Sequence, residues 1–478
     1  MISVAEYKNK TVVVLGLART GISSARALSQ GGARVLVWDD NFEVLNSAKT
    51  HGFETFDINE KYRWSNVSLL VVSPGIPHLY PFTHTLVKEA LSHEVIINND
   101  IGLFFSYFMS GMEDFERSPE IIAITGSNGK STTASLIHHI ISKSGRKSQL
   151  AGNIGKGVFD IEPLTDGEVL VLELSSYQLD LARQLSPDIA IFTNFSADHI
   201  DRHGGIGGYF LSKRRLFMEG NPEKSIININ STEGLMLANQ ISGSWSGERL
   251  IRVGSGPQKN SQNWSIFHHK GHLVEWNKSR QIYSIDLRSL ANLPGDHNYE
   301  NICSAYAACR ILGLPPRDIG AGLQSFKGLI HRTQIVDNID GVLYVNDSKA
   351  TNADSASKAL QAFKNILWIC GGEQKIGGLE ILLSTLGAVK KAYIIGNEAA
   401  LFALNFKNLP CVICQTMEKA FQLASTEADR GDVVLLSPAA ASFDQYDNFE
   451  KRGEHFINLV EELSKKSASS SGNNPSDD

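Results

Sequence analysis

Cysteine is scarce in this chain, with 5 among 478 residues. That is too few for a disulfide framework and suits a reducing setting, so a cytoplasmic protein is expected. Cys411 and Cys414 form a C-x-x-C, but Val412 and Ile413 lie between them and no second pair exists. A buried strand explains them better than zinc or redox chemistry. Long apolar runs are also missing. No stretch approaches the ~20 residues of a membrane span, and the first ten residues are polar, without the apolar core of a signal peptide; no membrane insertion is expected. Nor is there a basic excess. Lys and Arg number 45 against 51 Asp and Glu, a net charge of −6, which argues against nucleic acid as a partner. No internal repeat is visible. Residues 464–478, rich in Ser, Lys, Asn and Asp, have no apolar anchor and are expected to be disordered.

What is present is the composition of a globular protein, long enough for about three domains. Its most informative stretch begins with four apolar residues, Ile121-Ile122-Ala123-Ile124, that read as a short buried strand. Thr125-Gly126-Ser127-Asn128-Gly129-Lys130-Ser131-Thr132-Thr133 follows, and then an apolar-periodic helix. Strand, glycine-rich turn, Lys-Ser and helix form the layout of a phosphate-binding loop. Glycines let backbone N–H groups turn toward an anion, and the helix N-terminus adds partial positive charge. Lys130 is placed for the β- and γ-phosphates, and the Ser131 hydroxyl for Mg²⁺. The usual first glycine is absent; Ile124 stands there.

Upstream, the strand Thr11–Leu15 leads into Gly16-Leu17-Ala18-Arg19-Thr20-Gly21, a helix, a second strand and Asp39. This βαβ opening resembles a dinucleotide fingerprint in which Ala18 replaces the second glycine, so a nucleotide site is open but a tight nicotinamide site is disfavoured. Residues 69–73 form a further strand, ending in Ser73-Pro74-Gly75. Downstream, Glu173 closes the apolar run 169–172, where an acid is the natural Mg²⁺ partner of a phosphate loop. The stretch Asn194-Phe195-Ser196-Ala197-Asp198-His199-Ile200-Asp201-Arg202-His203 reads equally as a metal site or a polar surface loop. Residues 250–287 alternate in a way that predicts antiparallel strands. Gly295-Asp296-His297-Asn298 opens a helix over 302–312, with Asp296 as its cap. The last third is α/β again, and three strand ends carry chemistry: Asn346-Asp347-Ser348-Lys349-Ala350-Thr351-Asn352, Gly371-Gly372-Glu373-Gln374-Lys375 and Ser437-Pro438-Ala439-Ala440-Ala441-Ser442-Phe443-Asp444. All three are expected on one edge of a parallel sheet.

Together these stretches resemble the ATP-dependent Mur ligases of peptidoglycan synthesis, over nearly the whole chain from residue 12 to about 460. The loop 126–132 and Gly295-Asp296-His297-Asn298 mark the wider superfamily, which includes folylpolyglutamate synthetases. Residues 346–352 and 436–453 look like its D-glutamate-adding members. The resemblance implies an α/β protein of three domains: a Rossmann-like, UDP-substrate-binding domain over 1–98, a central P-loop ATPase-type domain with a mostly parallel sheet over 99–328, and a Rossmann-like amino-acid-binding domain over 329–463. It also implies ATP-dependent addition of D-glutamate to UDP-N-acetylmuramoyl-L-alanine through an acyl phosphate, by a cytoplasmic monomer.

The same resemblance implies the sites. Gly126, Ser127, Asn128, Gly129, Lys130, Ser131 and Thr132, with Asn298, Arg332 and Asp347, would bind ATP. Ser131, Glu173, His199 and Lys213 would serve two Mg²⁺ ions, Lys213 as a carbamate; Lys130, Glu173, His199 and Lys213 would be the catalytic set. Leu17, Thr20, Asp39, Gly75, Asn153, Ser175 and His199 would meet the UDP-muramoyl substrate. Thr351, Lys375, Ser442, Phe443 and Phe449 would form the D-glutamate pocket. Two departures matter. The loop from His199 to Tyr209 is one residue shorter than the family pattern, which leaves Arg214 and Arg215 as rivals of Lys213. Glu373-Gln374 stands where an Asp-Gly pair is common. Two other function classes stay open. A nicotinamide oxidoreductase would use residues 16–21 and leave the Lys130 loop idle. A non-catalytic nucleotide switch would leave Glu173, His199 and Lys213 without a purpose.

Overall fold

The structure, a computed structural model, describes residues 2–60, 63–244, 247–256, 263–290, 292–373, 378–406 and 409–471. Three sheets form among them. The first is wholly parallel: β1 (Thr11–Leu15), β2 (Arg34–Trp38), β3 (Glu54–Thr55), β4 (Val67–Val72) and β5 (Ile96–Asn98), in the order β3-β2-β1-β4-β5. The winding reverses between β1 and β4, which opens a crevice at their carboxyl ends, where residues 16–18 and 73–75 lie.

The second sheet comprises β6 (Glu120–Thr125), β7 (Ser148–Gly152), β8 (Val169–Glu173), β9 (Ile189–Phe192), β10 (Lys224–Asn228), β11 (Leu250–Ser255), β12 (Ser265–His269), β13 (His272–Asn277) and β14 (Arg280–Asp286). Their order is β14-β13-β12-β11-β10-β9-β6-β8-β7. The expectation of antiparallel strands over 250–287 holds for β12, β13 and β14, but β11 runs parallel to both its neighbours. Leu250, Ile251 and Val253 are buried in the central sheet, so β11 is one more interior strand. The helix expected over 302–312 already begins at Asp296, which is its first residue rather than a residue before it.

The third sheet has β15 (Gln334–Ile339), β16 (Val342–Asn346), β17 (Ile366–Gly371), β18 (Val389–Ile395), β19 (Cys411–Gln415) and β20 (Val433–Leu436), ordered β15-β16-β20-β17-β18-β19. Only β15 is antiparallel. β16, β20 and β17 are neighbours, so their three loaded ends do share one edge. Cys411 and Cys414 lie on β19 as free thiols, Cys414 buried.

By compactness the chain divides into two units, Met1–Asp286 with Glu300–Leu323, and Leu287–Tyr299 with Gln324–Asp478. In the first unit the first two sheets share one apolar core. At their seam Asn99 Nδ2 donates to the Gln178 carbonyl (2.6 Å) and Gln178 Nε2 to Asp100 Oδ2 (3.3 Å). Burial pushes the Asp100 carboxyl up to about 6. Among the described residues no helix is long and apolar enough to cross a membrane.

Residues 464–471 depart from the expected disorder. The last helix, Phe449–Ser471, continues through them. Phe456, Val460 and Leu463 follow helical spacing and pack on the third sheet, and Ser467 Oγ donates to Asp340 Oδ2 (2.8 Å). Composition alone undervalued that anchor; residues 472–478 lie outside the described residues.

The same helix carries Arg452, which is 1% exposed. Its Nε donates to Ser348 Oγ (3.0 Å), Nη2 to the carbonyls of Ser348 (2.9 Å) and Ala440 (3.1 Å), and Nη1 to that of Ala441 (3.2 Å). One guanidinium thus ties the ends of β16 and β20 to the helix. Burial lowers its pKa to about 10, so it stays charged at neutral pH. Replacing Arg452 with Met removes all four bonds and strands buried acceptors. The expected loss is about 2–4 kcal/mol, measured by urea unfolding. An unchanged midpoint would show that the bonds contribute nothing net.

Candidate active site

Three adjacent strands, β8, β6 and β9, bring their carboxyl ends together. β6 feeds the loop 126–129, and the helix Lys130–Lys143 starts directly after it. Gly126 (φ 139°) and Gly129 (φ 82°) have positive φ, and a Cβ there would lie 2.1 Å from Thr193 Oγ1 and 2.2 Å from Asn301 Oδ1 respectively. Glycine is therefore required at both places. The loop is braced by the end of β9. Asn194 Oδ1 accepts from the Asn128 N–H (2.8 Å), and Asn194 Nδ2 donates back to the Asn128 carbonyl (2.9 Å). Thr193 Oγ1 donates to the same carbonyl (2.7 Å). Ser127 Oγ donates to the Ser196 carbonyl (2.9 Å) and lies 3.2 Å from the Tyr209 hydroxyl, which donates to it.

Two lysines converge on this loop. Lys130 Nζ donates to the carbonyls of Gly126 (3.1 Å) and Ser127 (2.8 Å). Lys213, from the helix Ile206–Met218, donates to the same Gly126 carbonyl at 2.8 Å and lies 4.3 Å from the Tyr209 ring centroid. It is 1% exposed. Burial first, and the Lys130 charge second, push its amine well below the usual lysine range, against the opposing pull of Asp198 and Glu173. The rival arginines point elsewhere. Arg214 Nε donates to Gln240 Oε1, and Arg215 binds the carbonyls of Leu179, Asp180 and Ala182 and the Glu219 carboxylate.

Glu173, at the end of β8, is buried, and its Oε1 accepts from Asn153 Nδ2 (2.9 Å). Ser131 is buried in the first helical turn, whereas His199 is exposed, with Nδ1 2.8 Å from the Tyr177 hydroxyl. Among the described residues no three His, Cys, Asp or Glu side chains gather as a metal cage. The oxygen donors Ser131 and Glu173 nonetheless suit Mg²⁺, which keeps several waters and completes its shell with substrate phosphates.

In the first sheet, the Asp39 carboxylate accepts from the backbone N–H of Leu17 (2.7 Å) and of Asn41 (2.9 Å). It clamps the turn after β1. Ser73 Oγ donates to the Gly16 carbonyl (2.6 Å), joining both lips of the crevice. Thr20 is half-buried in the first turn of the helix Arg19–Gln30, and Gly75 is exposed. Ser175, expected at substrate, caps the helix Ser176–Leu181 in a reciprocal pair with Gln178.

The remaining expected contacts belong to the second unit. Asn298 is buried and donates to the Pro294 carbonyl (2.7 Å). Arg332 is half-buried just before β15. Asp347, at the end of β16, accepts from Thr333 N–H (3.0 Å) and Ser437 Oγ (2.8 Å), and burial raises its carboxyl to about 6. Thr351 and Phe449 are half-buried and Ser442 is buried, but Phe443 is 72% exposed. Lys375 lies outside the described residues. Thr193, Asn194, Tyr209 and Asn301, which hold the loop in shape, had no role assigned from sequence. The only hint was the polar stretch 194–203, which suggested metal ligands rather than a brace.

Two family models match the chain: the Mur ligase middle domain over residues 124–309 and the Mur ligase glutamate ligase domain over residues 331–440. The chain is 54% identical over 464 residues to a UDP-N-acetylmuramoylalanine–D-glutamate ligase of Cereibacter sphaeroides, covering 97% of this chain and 100% of that one. A protein of the same name from Ruegeria pomeroyi is 54% identical over 462 residues, covering 96% and 99%. Among solved structures, a UDP-N-acetylmuramate-alanine ligase from Thermotoga maritima shares the fold, with a TM-score of 0.57 at 15% identity over 95% of this chain and 99% of that one. With its glycine-rich strand–loop–helix, its three α/β sheets and this likeness over nearly the whole chain, the chain belongs to the Mur ligase family.

Proposed function

We propose that the protein joins D-glutamate to UDP-N-acetylmuramoyl-L-alanine, with cleavage of ATP to ADP and phosphate. The observation that carries this reading is the meeting of Lys130 and the buried Lys213 at one carbonyl of a phosphate loop, in a chain alike end to end to relatives that bear this activity in their name. The nicotinamide and switch readings leave that arrangement unused.

The reaction begins with a poor electrophile. An oxygen of the substrate's alanine carboxylate attacks the γ-phosphorus of ATP, and ADP leaves. The acyl phosphate formed has a good leaving group. The D-glutamate amine attacks its carbonyl carbon, loses a proton, and phosphate departs. Lys130 transfers its hydrogen bonds from the loop carbonyls to the phosphoryl oxygens, where charge develops. Gly126, Ser127, Asn128, Gly129 and Thr132 cradle the phosphates, with Asn298, Arg332 and Asp347 on the rest of ATP. Two Mg²⁺ ions, one held by Ser131 and Glu173 and the other by His199 and a Lys213 carbamate, would spread the negative charge of the phosphoryl oxygens. Leu17, Thr20, Asp39, Gly75, Asn153 and Ser175 line the UDP-substrate path, and Thr351, Lys375, Ser442, Phe443 and Phe449 the D-glutamate pocket. The setting is the cytoplasm and the acting species a single chain.

The carbamate has a physical rationale. A neutral amine attacks dissolved carbon dioxide and loses one proton, which leaves an anionic carbamate. Burial and Lys130 favour the neutral amine at Lys213, and the product supplies the oxygens that Mg²⁺ prefers.

Three outcomes are expected. Phosphate release with UDP-N-acetylmuramoyl-L-alanine is fastest with D-glutamate; a faster rate with L-lysine, meso-diaminopimelate or L-alanine would overturn the assignment. Lys130→Ala lowers kcat by roughly 10²–10³-fold with an unchanged melting temperature, whereas a normal rate in the folded variant would make the loop structural. Lys213→Ala is nearly inactive and regains turnover when a short carboxylic acid is added, and ¹³C-labelled carbon dioxide gives a carbamate signal in the wild type only. Full activity of Lys213→Ala would remove the carbamate from the mechanism.

A further inference from the structure

The turn that carries His199 makes a second set of contacts, away from the phosphate loop. It continues as Asp201–His203, and Arg202 is buried. Its guanidinium crosses from the second sheet's side to the loop that follows β4. Nη2 donates to the Ile76 carbonyl (2.7 Å) and to His78 Nδ1 (3.1 Å). With Nδ1 accepting, His78 carries its proton on Nε2, which lies 3.2 Å from Asp180 Oδ2. His203 Nδ1 is 3.6 Å from the same oxygen, and its Nε2 is 2.9 Å from Ser176 Oγ. The Tyr80 ring lies so close to Gly204 that a side chain there would strike it. On the other side, Arg202 sits 5.3 Å from the centroid of the Tyr177 ring, whose hydroxyl meets His199 Nδ1.

Two donors of Arg202, Nε and Nη1, have no hydrogen-bond partner among the described residues. Buried unpaired donors are destabilising, and a well-packed apolar residue is often at least as stable in such a place. Stability alone does not account for an arginine here; what it does is join two loops. The loop on one side carries Gly75, three residues before His78, and the turn on the other carries His199.

We infer that Arg202 is a positioning residue: through the Ile76 carbonyl and His78 it holds the UDP-substrate loop in register with the His199 turn, which Tyr177 orients. The inference rests on the proposed ligase reaction. It requires Arg202 to act on the UDP-substrate and to leave ATP binding alone, since no Arg202 contact reaches residues 126–132.

The test is steady-state kinetics on the full chain with each substrate varied. Arg202→Met is expected to raise KM for UDP-N-acetylmuramoyl-L-alanine about tenfold or more, the loss typical of one charge-assisted hydrogen bond, with KM for ATP within about twofold. Arg202→Lys, which keeps a donor for the Ile76 carbonyl, is expected to recover part of that loss. If Arg202→Met does not fold, His78→Leu removes the loop's half of the contact and is read in the same way. An unchanged KM for the UDP-substrate, with only the active fraction reduced, would make Arg202 structural and overturn the inference while the ligase reading stands. A wild type that turns over no UDP-N-acetylmuramoyl-L-alanine with D-glutamate would overturn both.

Discussion

Two amines share one carbonyl oxygen at the centre of the site, and much of the first unit is arranged around that. Lys130 and Lys213 both donate to Gly126 O, and like charges so placed repel. The fold buries Lys213 completely, which favours its neutral amine, while Lys130 is only half-buried. Everything that fixes Gly126 serves this asymmetry. Thr193 stands where any Cβ would go, Asn194 grips Asn128 from both sides, and Tyr209 covers Lys213 while bonding Ser127.

The first two sheets form one body because polar bonds cross between them as well as apolar contacts. Asn99, Asp100 and Gln178 form one crossing, and Arg202 with His78 and Asp180 forms the other. The crevice between β1 and β4 is thereby kept in a fixed relation to the phosphate loop. On the proposed reading, a UDP-substrate reaching from one to the other would meet a preorganised path, with less ordering to do on binding.

Elements with a strong local signal were legible in the sequence. Val12–Leu15, Ile121–Ile124, Val169–Leu172 and Val433–Leu436 are runs of apolar residues buried on both faces of parallel strands, and they read as such. The strand, glycine-rich turn and helix at 120–143 read correctly, because glycines between an apolar run and an apolar-periodic stretch mark a tight strand-to-helix turn. The rest was hidden for particular reasons. Strand β11 looks like its antiparallel followers because Arg252 and Ser255 interrupt its apolar residues, although it pairs in parallel on both sides. Residues 464–471 have no apolar side chain larger than that of alanine and continue the helix whose earlier turns Phe456, Val460 and Leu463 hold. Asn194 and Tyr209 act on a loop some 65 to 80 residues earlier, and no local pattern announces a contact of that range. The structural tasks of Ser175 and Asp39, a helix cap and a turn clamp, were not legible either, since a hydroxyl or carboxylate at a strand end gives no local sign of which backbone amide it holds.

Arg452 illustrates a different kind of freedom. Three of its four bonds end on main-chain carbonyls, and every amino acid supplies an identical carbonyl. The frame that holds the ends of β16 and β20 is therefore indifferent to which side chains those loops display, apart from Ser348. Thr351 and Ser442, proposed above to line the amino-acid site, lie on these loops, and neither side chain takes part in the four Arg452 bonds. On the proposed reading, a search for another amino-acid specificity would vary those side chains and leave the Arg452 frame alone. Drift in specificity over evolutionary time would find the same division ready-made.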